Sequence, residues 1–401
     1  MKSSRPSSAA YLLLSILGLC ALGTHHLHAD STLSGTGTLT LGNGVLNGTG
    51  ANTNPIAWAG DITGTLTINA GATVQAGSVW GLGYQSNASV TAIAINGGTL
   101  AFGETNILSG GTAARTITLR GGTITTYGAA ATSPTAAFDW YEGGAIDATT
   151  NNNYGLAVAL GSTNNPVLAT LPSSTVSVVA DGVSLRLGAV TNSLIISNAV
   201  GTTPSGIDLI ISGSLQTPAN GINDAFAGLV KTGPGVTELS GSNNYNGPTT
   251  VNQGTIVIAN NSALSTNPVS LTGGGIDTFN GSTNTLPNTV TVSGGGFIGV
   301  GSGSSLTLGA INLGGNSTIN LDNSNSALKT TGSIVVSGTN NVIFLGGSYS
   351  SGTYTLLSKV SGSLTPSSLI LKGSVGTIPL NSRISNCTFT NNASSLQLIV
   401  R

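Results

Sequence analysis

Charge, histidine and cysteine are all scarce in this chain, and each shortage narrows what it can be. Lysine and arginine total 11 and aspartate and glutamate 12, together 6% of 401 residues, against about 25% in ordinary globular domains. With no basic patch to neutralise phosphates, nucleic acid is not an expected partner. The three histidines, His25, His26 and His28, all lie upstream of Asp30. Beyond them, zinc and copper sites lack their usual ligand and a serine triad lacks its base. Cys20 and Cys387 are the only cysteines. If the segment upstream of Asp30 is removed, one thiol remains and no intrachain disulfide forms. No cofactor or metal is expected.

Residues 1–29 have the order of an export signal. Lys2 and Arg5 supply the positive end, Tyr11 to Leu22 the apolar segment, and Leu27-His28-Ala29 a small residue for cleavage before Asp30. The apolar run falls short of the about 20 residues a membrane span needs, so the mature chain carries no expected transmembrane segment. Leu19 before Cys20 argues against a lipoprotein anchor. The expected product is exported, to the cell surface, the extracellular space or the periplasm. Its nine basic and twelve acidic residues leave a formal charge of −3.

What is abundant is glycine, 59 residues, together with Ser, Thr and Asn. Such a composition suggests disorder, but disordered chains pair low hydrophobicity with high net charge. Here 39% of residues are hydrophobic and mean hydropathy is +0.28. The apolar residues fall in short β-branched runs broken by Gly-Gly, Ala-Gly or Asn-Gly: Leu66 to Val74, Ala92 to Leu100, Ile117 to Ile124, Val290 to Ile298. Strands of four or five residues point alternate side chains inward, and glycine takes the positive φ that lets the chain corner tightly. Parallel stacking of such coils completes each coil's core with its neighbour. The turns lack the regular hairpin spacing of a sandwich. The reading is all-β, a right-handed parallel β-helix. At roughly 22 residues per coil it would have on the order of 17 coils and a length of roughly 80 Å.

Residues 127–165 break the rhythm with Phe138-Asp-Trp-Tyr-Glu142 and the Asn151 run, and read as a protruding loop. The organisation expected is a signal over 1–29, a first solenoid region over 30–225 and a second over 226–401.

The second region contains the most specific stretch, Gly228 to Ile258. Strand segments Val236–Ser240 and Thr249–Asn252 with Thr255–Ile258 flank an Asn/Gly turn centred on Tyr245. The stretch resembles the autotransporter-associated β-strand repeat of bacterial surface proteins. The match runs through Gly228, Leu229, Lys231, Gly233, Gly235, Leu239, Ser240, Gly241, Asn243, Tyr245, Gly247, Thr249, Val251, Gly254 and Thr255, with Ile256 where the motif has Leu. That resemblance implies an exported passenger displayed at the cell surface. The C-terminal membrane barrel often found beside such passengers would add amphipathic strands with aromatic girdles, and the last hundred residues do not show them. In a solenoid, Val251 and Ile256 should face the core and Lys231 and Asn246 the solvent. Lys231→Ala should then change stability by less than about 0.5 kcal/mol.

Candidate ligand contacts are few. Polysaccharide-cleaving β-helices need several carboxylates converging on one groove. Only Asp139, Glu142 and Asp147 cluster in sequence, beside Trp140 and Tyr141. Asp139, Trp140, Tyr141 and Glu142 are therefore the weak ligand-contact candidates, with a solvated loop as the plainer reading. Trp58, Trp80 and Tyr84 suit the cap of a first coil. No catalytic residue is assigned. The favoured function is a non-enzymatic, adhesin-like structural protein, with surface polysaccharide or another protein as partner. A carbohydrate-binding or polysaccharide-cleaving β-helix is the alternative. At the other end, Ser394–Val400 reads as a strand with nothing after Arg401 to cover it. An exposed final edge implies continuation in a longer passenger, a covering partner or self-association.

Overall fold

The computed structural model describes residues 31–33, 37–41, 64–76, 90–102, 116–126, 156–159, 167–181, 183–186, 193–216, 228–322, 325–344, 351–358, 360–361, 369–373, 377–379, 381–384, 387–392 and 395–401. The proposed signal, the loop residues 139–142 and Trp58, Trp80 and Tyr84 lie outside these.

Two long ladders define the molecule. A first sheet of 13 strands runs from Ser31–Leu33 to Val360–Ser361, every neighbour parallel. A second sheet of 14 strands runs from Gly37–Leu41 to Leu369–Gly373, also parallel until Ile378–Pro379 closes it antiparallel. The chain alternates between them, first sheet then second, around a right-handed parallel β-helix. A third side is patchier. Leu156–Ala159, Val183–Arg186 and Ser214–Gln216 form one short parallel sheet there, and a seven-stranded sheet begins at Thr283–Thr285. The 127–165 segment thus contains at least one strand that joins the solenoid wall.

Strand interiors alternate as period-2 side-chain geometry demands. Ala310–Leu313, Ser305–Leu308 and Thr318–Leu321 each place every second residue inside. The strand–glycine–strand units expected from sequence appear as Gly64–Asn69 with Ala72–Ala76, and Thr116–Arg120 with Thr123–Thr126. In-register stacking turns the inward positions into columns. Ile196, Lys231, Val251, Leu271, Val292 and Leu313 occupy one of them. Each aliphatic member is at most 1% exposed, and full burial of such a side chain stabilises by about 1.5–3 kcal/mol.

Coil length is less uniform than the sequence suggests. Leu229 stacks on Thr249, Thr249 on Val269, Val269 on Val290 and Val290 on Ile311, in nearly equal advances along the chain. Ile117 meets Leu168 only after an advance more than twice as long. Among the described residues, 13 strands stack in the first sheet, fewer than the coils expected from sequence, and at parallel spacing they span about 58 Å.

The far end also departs from expectation. Ser395–Val400 is not an open edge, because it lies antiparallel between Gly352–Ser358 and Cys387–Asn392. Ser382–Ile384 pairs antiparallel with Cys387–Asn392 in turn. Leu396, Leu398, Phe389 and Cys387 are buried beneath this hairpin cover. Reversing strand direction ends the parallel ladder from within the chain, which removes the premise on which self-association through Val400 rested.

Candidate functional site: the coil-locking repeat

The two coils from Gly228 to Ile258 use four strands: Leu229–Thr232, Val236–Leu239, Thr249–Val251 and Thr255–Ile258. Between the second and third, where the sequence suggests a turn centred on Tyr245, residues 241–249 instead alternate buried and exposed in an unbroken series. This stretch is an extended third side of the coil. Asn243, Tyr245, Gly247 and Thr249 point inward, and Asn246 is exposed as expected.

Lys231 is the principal correction. It is 0% exposed, not solvent-facing. Period-2 alternation from Leu229 sends it inward, and its stem fills the place that Ile196 and Val251 hold in the coils on either side. The ammonium ends at the corner between the first two sheets. There Nζ donates to the carbonyl oxygens of Thr232 (3.0 Å) and Gly233 (2.7 Å), and to that of Gln253 in the next coil (3.1 Å). An ammonium has three donors, and all three are used. Burial pulls its pKa from 10.5 down to about 8, while the Asp208 carboxylate favours the charged form. Asp208, 7% exposed, accepts from the backbone N–H of Gly201 (2.6 Å) and of Val236 (2.8 Å). Like Lys231, it bonds from its own coil to the next.

Asn243 locks the third side. Its Oδ1 accepts from Leu215 N–H in the coil below (2.7 Å), and its Nδ2 donates to the Ala263 carbonyl in the coil above (2.6 Å). One amide joins three coils. Tyr245, 0% exposed, shares a hydrogen bond with Thr249 Oγ1 at 2.5 Å. Its carbonyl accepts from Ser265 Oγ (2.8 Å) and Asn267 Nδ2 (3.1 Å). Burial pushes the phenol pKa upward, so the hydroxyl stays neutral.

Gly254 shows why the spacing from Lys231 matters. Its φ is +72°, and a Cβ there would stand 2.5 Å from the carbonyl oxygens of Gly233 and Gly235 and 2.6 Å from Lys231 Nζ. Gly281 has a similar φ of +73° with nothing within 4 Å. Gly281→Ala should therefore cost only the left-handed backbone penalty, about 1–2 kcal/mol. Gly254→Ala should cost clearly more, because the ammonium and two carbonyls must also move. Equal losses in urea unfolding would show that the corner is not tightly packed.

Sequence reasoning missed related locks outside the repeat. Asn288 Nδ2 donates to the carbonyls of Asn267 (2.6 Å) and Leu264 (3.1 Å), and Asn340 Oδ1 accepts from Ser317 N–H (3.1 Å). Both are fully buried. The only signal was an Asn at the approach to a first-sheet or second-sheet strand, too common in this composition to stand out.

Among the described residues, no three His, Cys, Asp or Glu side chains gather as a metal site. No helix there is long and apolar enough to cross a membrane. The site is a set of polar side chains spent on fastening coil to coil, and it defines a stacking module of a right-handed parallel β-helix. Residues 229–258 match the passenger-associated-transport-repeat family. No curated protein sequence matches the chain.

Proposed function

We propose that this protein is an exported, non-enzymatic structural β-helix of the autotransporter passenger type, displayed at the cell surface in an adhesin-like role. The observation that carries this reading is the use made of the repeat's polar residues. Lys231, Asn243 and Tyr245 are all turned inward and committed to bonds within the coil or between coils. None is left to act on a ligand. A rod held together this way presents a long outer wall, which suits contact with surface polysaccharide or another protein.

The test is fractionation of native host cells with an epitope tag placed after Ala29. The expected result is tag accessible to added protease on intact cells, with the segment upstream of Asp30 removed. Retention of full-length protein in the cytoplasm would overturn the export reading. Release of reducing ends or unsaturated products from polysaccharides by the purified protein would overturn the non-enzymatic one.

A further inference from the structure

The outer wall of the second sheet carries one crowded group that the repeat does not use. Asp277, on the strand Gly275–Thr278, points outward and is half-buried. Its Oδ1 accepts from the Thr278 N–H at 2.7 Å. The strand above contributes Gly299 at the neighbouring position, since Ile276 pairs with Ile298. A Cβ on Gly299 would come within 2.5 Å of Asp277 Cγ and Oδ1 and 2.7 Å of Oδ2. The carboxyl group therefore lies flat on the next coil, on a place only glycine leaves free. One coil further up, Gly299 pairs with Asn320, and the half-buried Asp322 follows on the same side of that chain segment. Two acids distant in sequence thus share one strip of wall, with glycine between.

We propose that Asp277, its carboxyl group lying over Gly299 with the charge of Asp322 on the same wall, takes up a proton in mild acid and so tightens this part of the β-helix as pH falls. A carboxylate that is partly desolvated and near a like charge resists ionisation, and protonation relieves both penalties. Nearby cations do little to offset this. On the strand below, Val257 faces Asp277, and beyond it stands Glu238. Above Asn320 come Ile343 and then Lys372 at the end of the same column. Among the described residues, Lys372 is the only cation in that column, three strands beyond Gly299.

Burial first, and to a smaller extent the negative charge of Asp322, raise the Asp277 carboxyl from 3.8 to about 6, against the lowering effect of the Thr278 N–H. The folded chain then holds this proton more tightly than the unfolded chain does. The stabilisation is complete below about pH 3.8 and is lost as pH rises through about 6.

Two measurements decide the matter on the full mature chain. Carbon NMR titration of the Asp277 carboxyl, assigned with Asp277→Asn, should give a midpoint near 6, and Asp322→Asn should lower it. A midpoint below about 4.5, in the ordinary carboxylate range, would overturn the proposal, and one unmoved by Asp322→Asn would overturn the part given to Asp322. Thermal unfolding between pH 4 and pH 8 should show the wild-type midpoint falling as pH rises, with the fall much reduced in Asp277→Asn. An equal fall in both proteins would overturn the link to stability.

Discussion

Replacing Lys231 by alanine should destabilise the protein by roughly 3–5 kcal/mol, where its charge alone would suggest a surface residue of little consequence. The loss has two parts. The buried stem fills one place in an otherwise aliphatic column between Ile196 and Val251, and removing it leaves a cavity. The carbonyls of Thr232, Gly233 and Gln253 also lose their common donor. Lys231→Met separates these parts, since it keeps the stem and removes only the ammonium, at about 1–3 kcal/mol.

The pH dependence gives a second handle on the same residue. Burial lowers the Lys231 pKa from 10.5 to about 8, so the unfolded chain binds this proton more tightly than the folded one. Stability should therefore rise with pH between about 8 and 10.5, by on the order of 3 kcal/mol. In Lys231→Met that rise should disappear. Urea midpoints measured at pH 7, 8.5 and 10 on the three proteins test both claims. An alanine variant within about 0.5 kcal/mol of wild type, the range of an ordinary surface substitution, would return Lys231 to the surface, contrary to the fold.

Tyr245→Ala should cost about as much, roughly 3–5 kcal/mol for the lost ring, with a further penalty because Thr249 Oγ1 is left buried without its partner. Tyr245→Phe keeps the ring and removes only the hydroxyl, so about 1–3 kcal/mol is expected. Solenoid coils contact chiefly their neighbours, so the damage should be local. Hydrogen exchange should accelerate in Leu229–Thr232, Thr249–Val251 and Val269–Leu271, whose ladder passes through this coil. Amides of Gly64–Asn69 should keep their protection. A uniform rise across the whole chain, or equal costs for the two variants, would mean that Tyr245 is not a coil-specific anchor.

Period-2 alternation and the glycine corners were enough to read strands, parallel coils and the Gly228–Ile258 repeat from the amino-acid sequence, because both properties are local. Val251 and Ile256 were placed in the core on the same grounds, and they are there. Lys231 was expected to face solvent, as a charged side chain ordinarily does, whereas alternation from Leu229 turns it inward. That expectation fails only where three carbonyls converge on the ammonium, and two of them belong to a corner and the third to the next coil. Tyr245 looked like the tip of a turn because Asn and Gly surround it. Its burial depends on a third side that gains its form from bonds to Leu215 and Ala263.

What the chain determined by itself is which residues alternate and where it bends. What only the tertiary structure decided is which residue lies above which. Stacking register places Gly254 against Lys231, Gly299 against Asp277, and the antiparallel strand Ser395–Val400 between Gly352–Ser358 and Cys387–Asn392. Those contacts depend on coil length, which differs more than twofold between the advance from Leu229 to Thr249 and that from Ile117 to Leu168. Coil length is set by whole-coil packing against the neighbour below, and no short stretch of sequence records it.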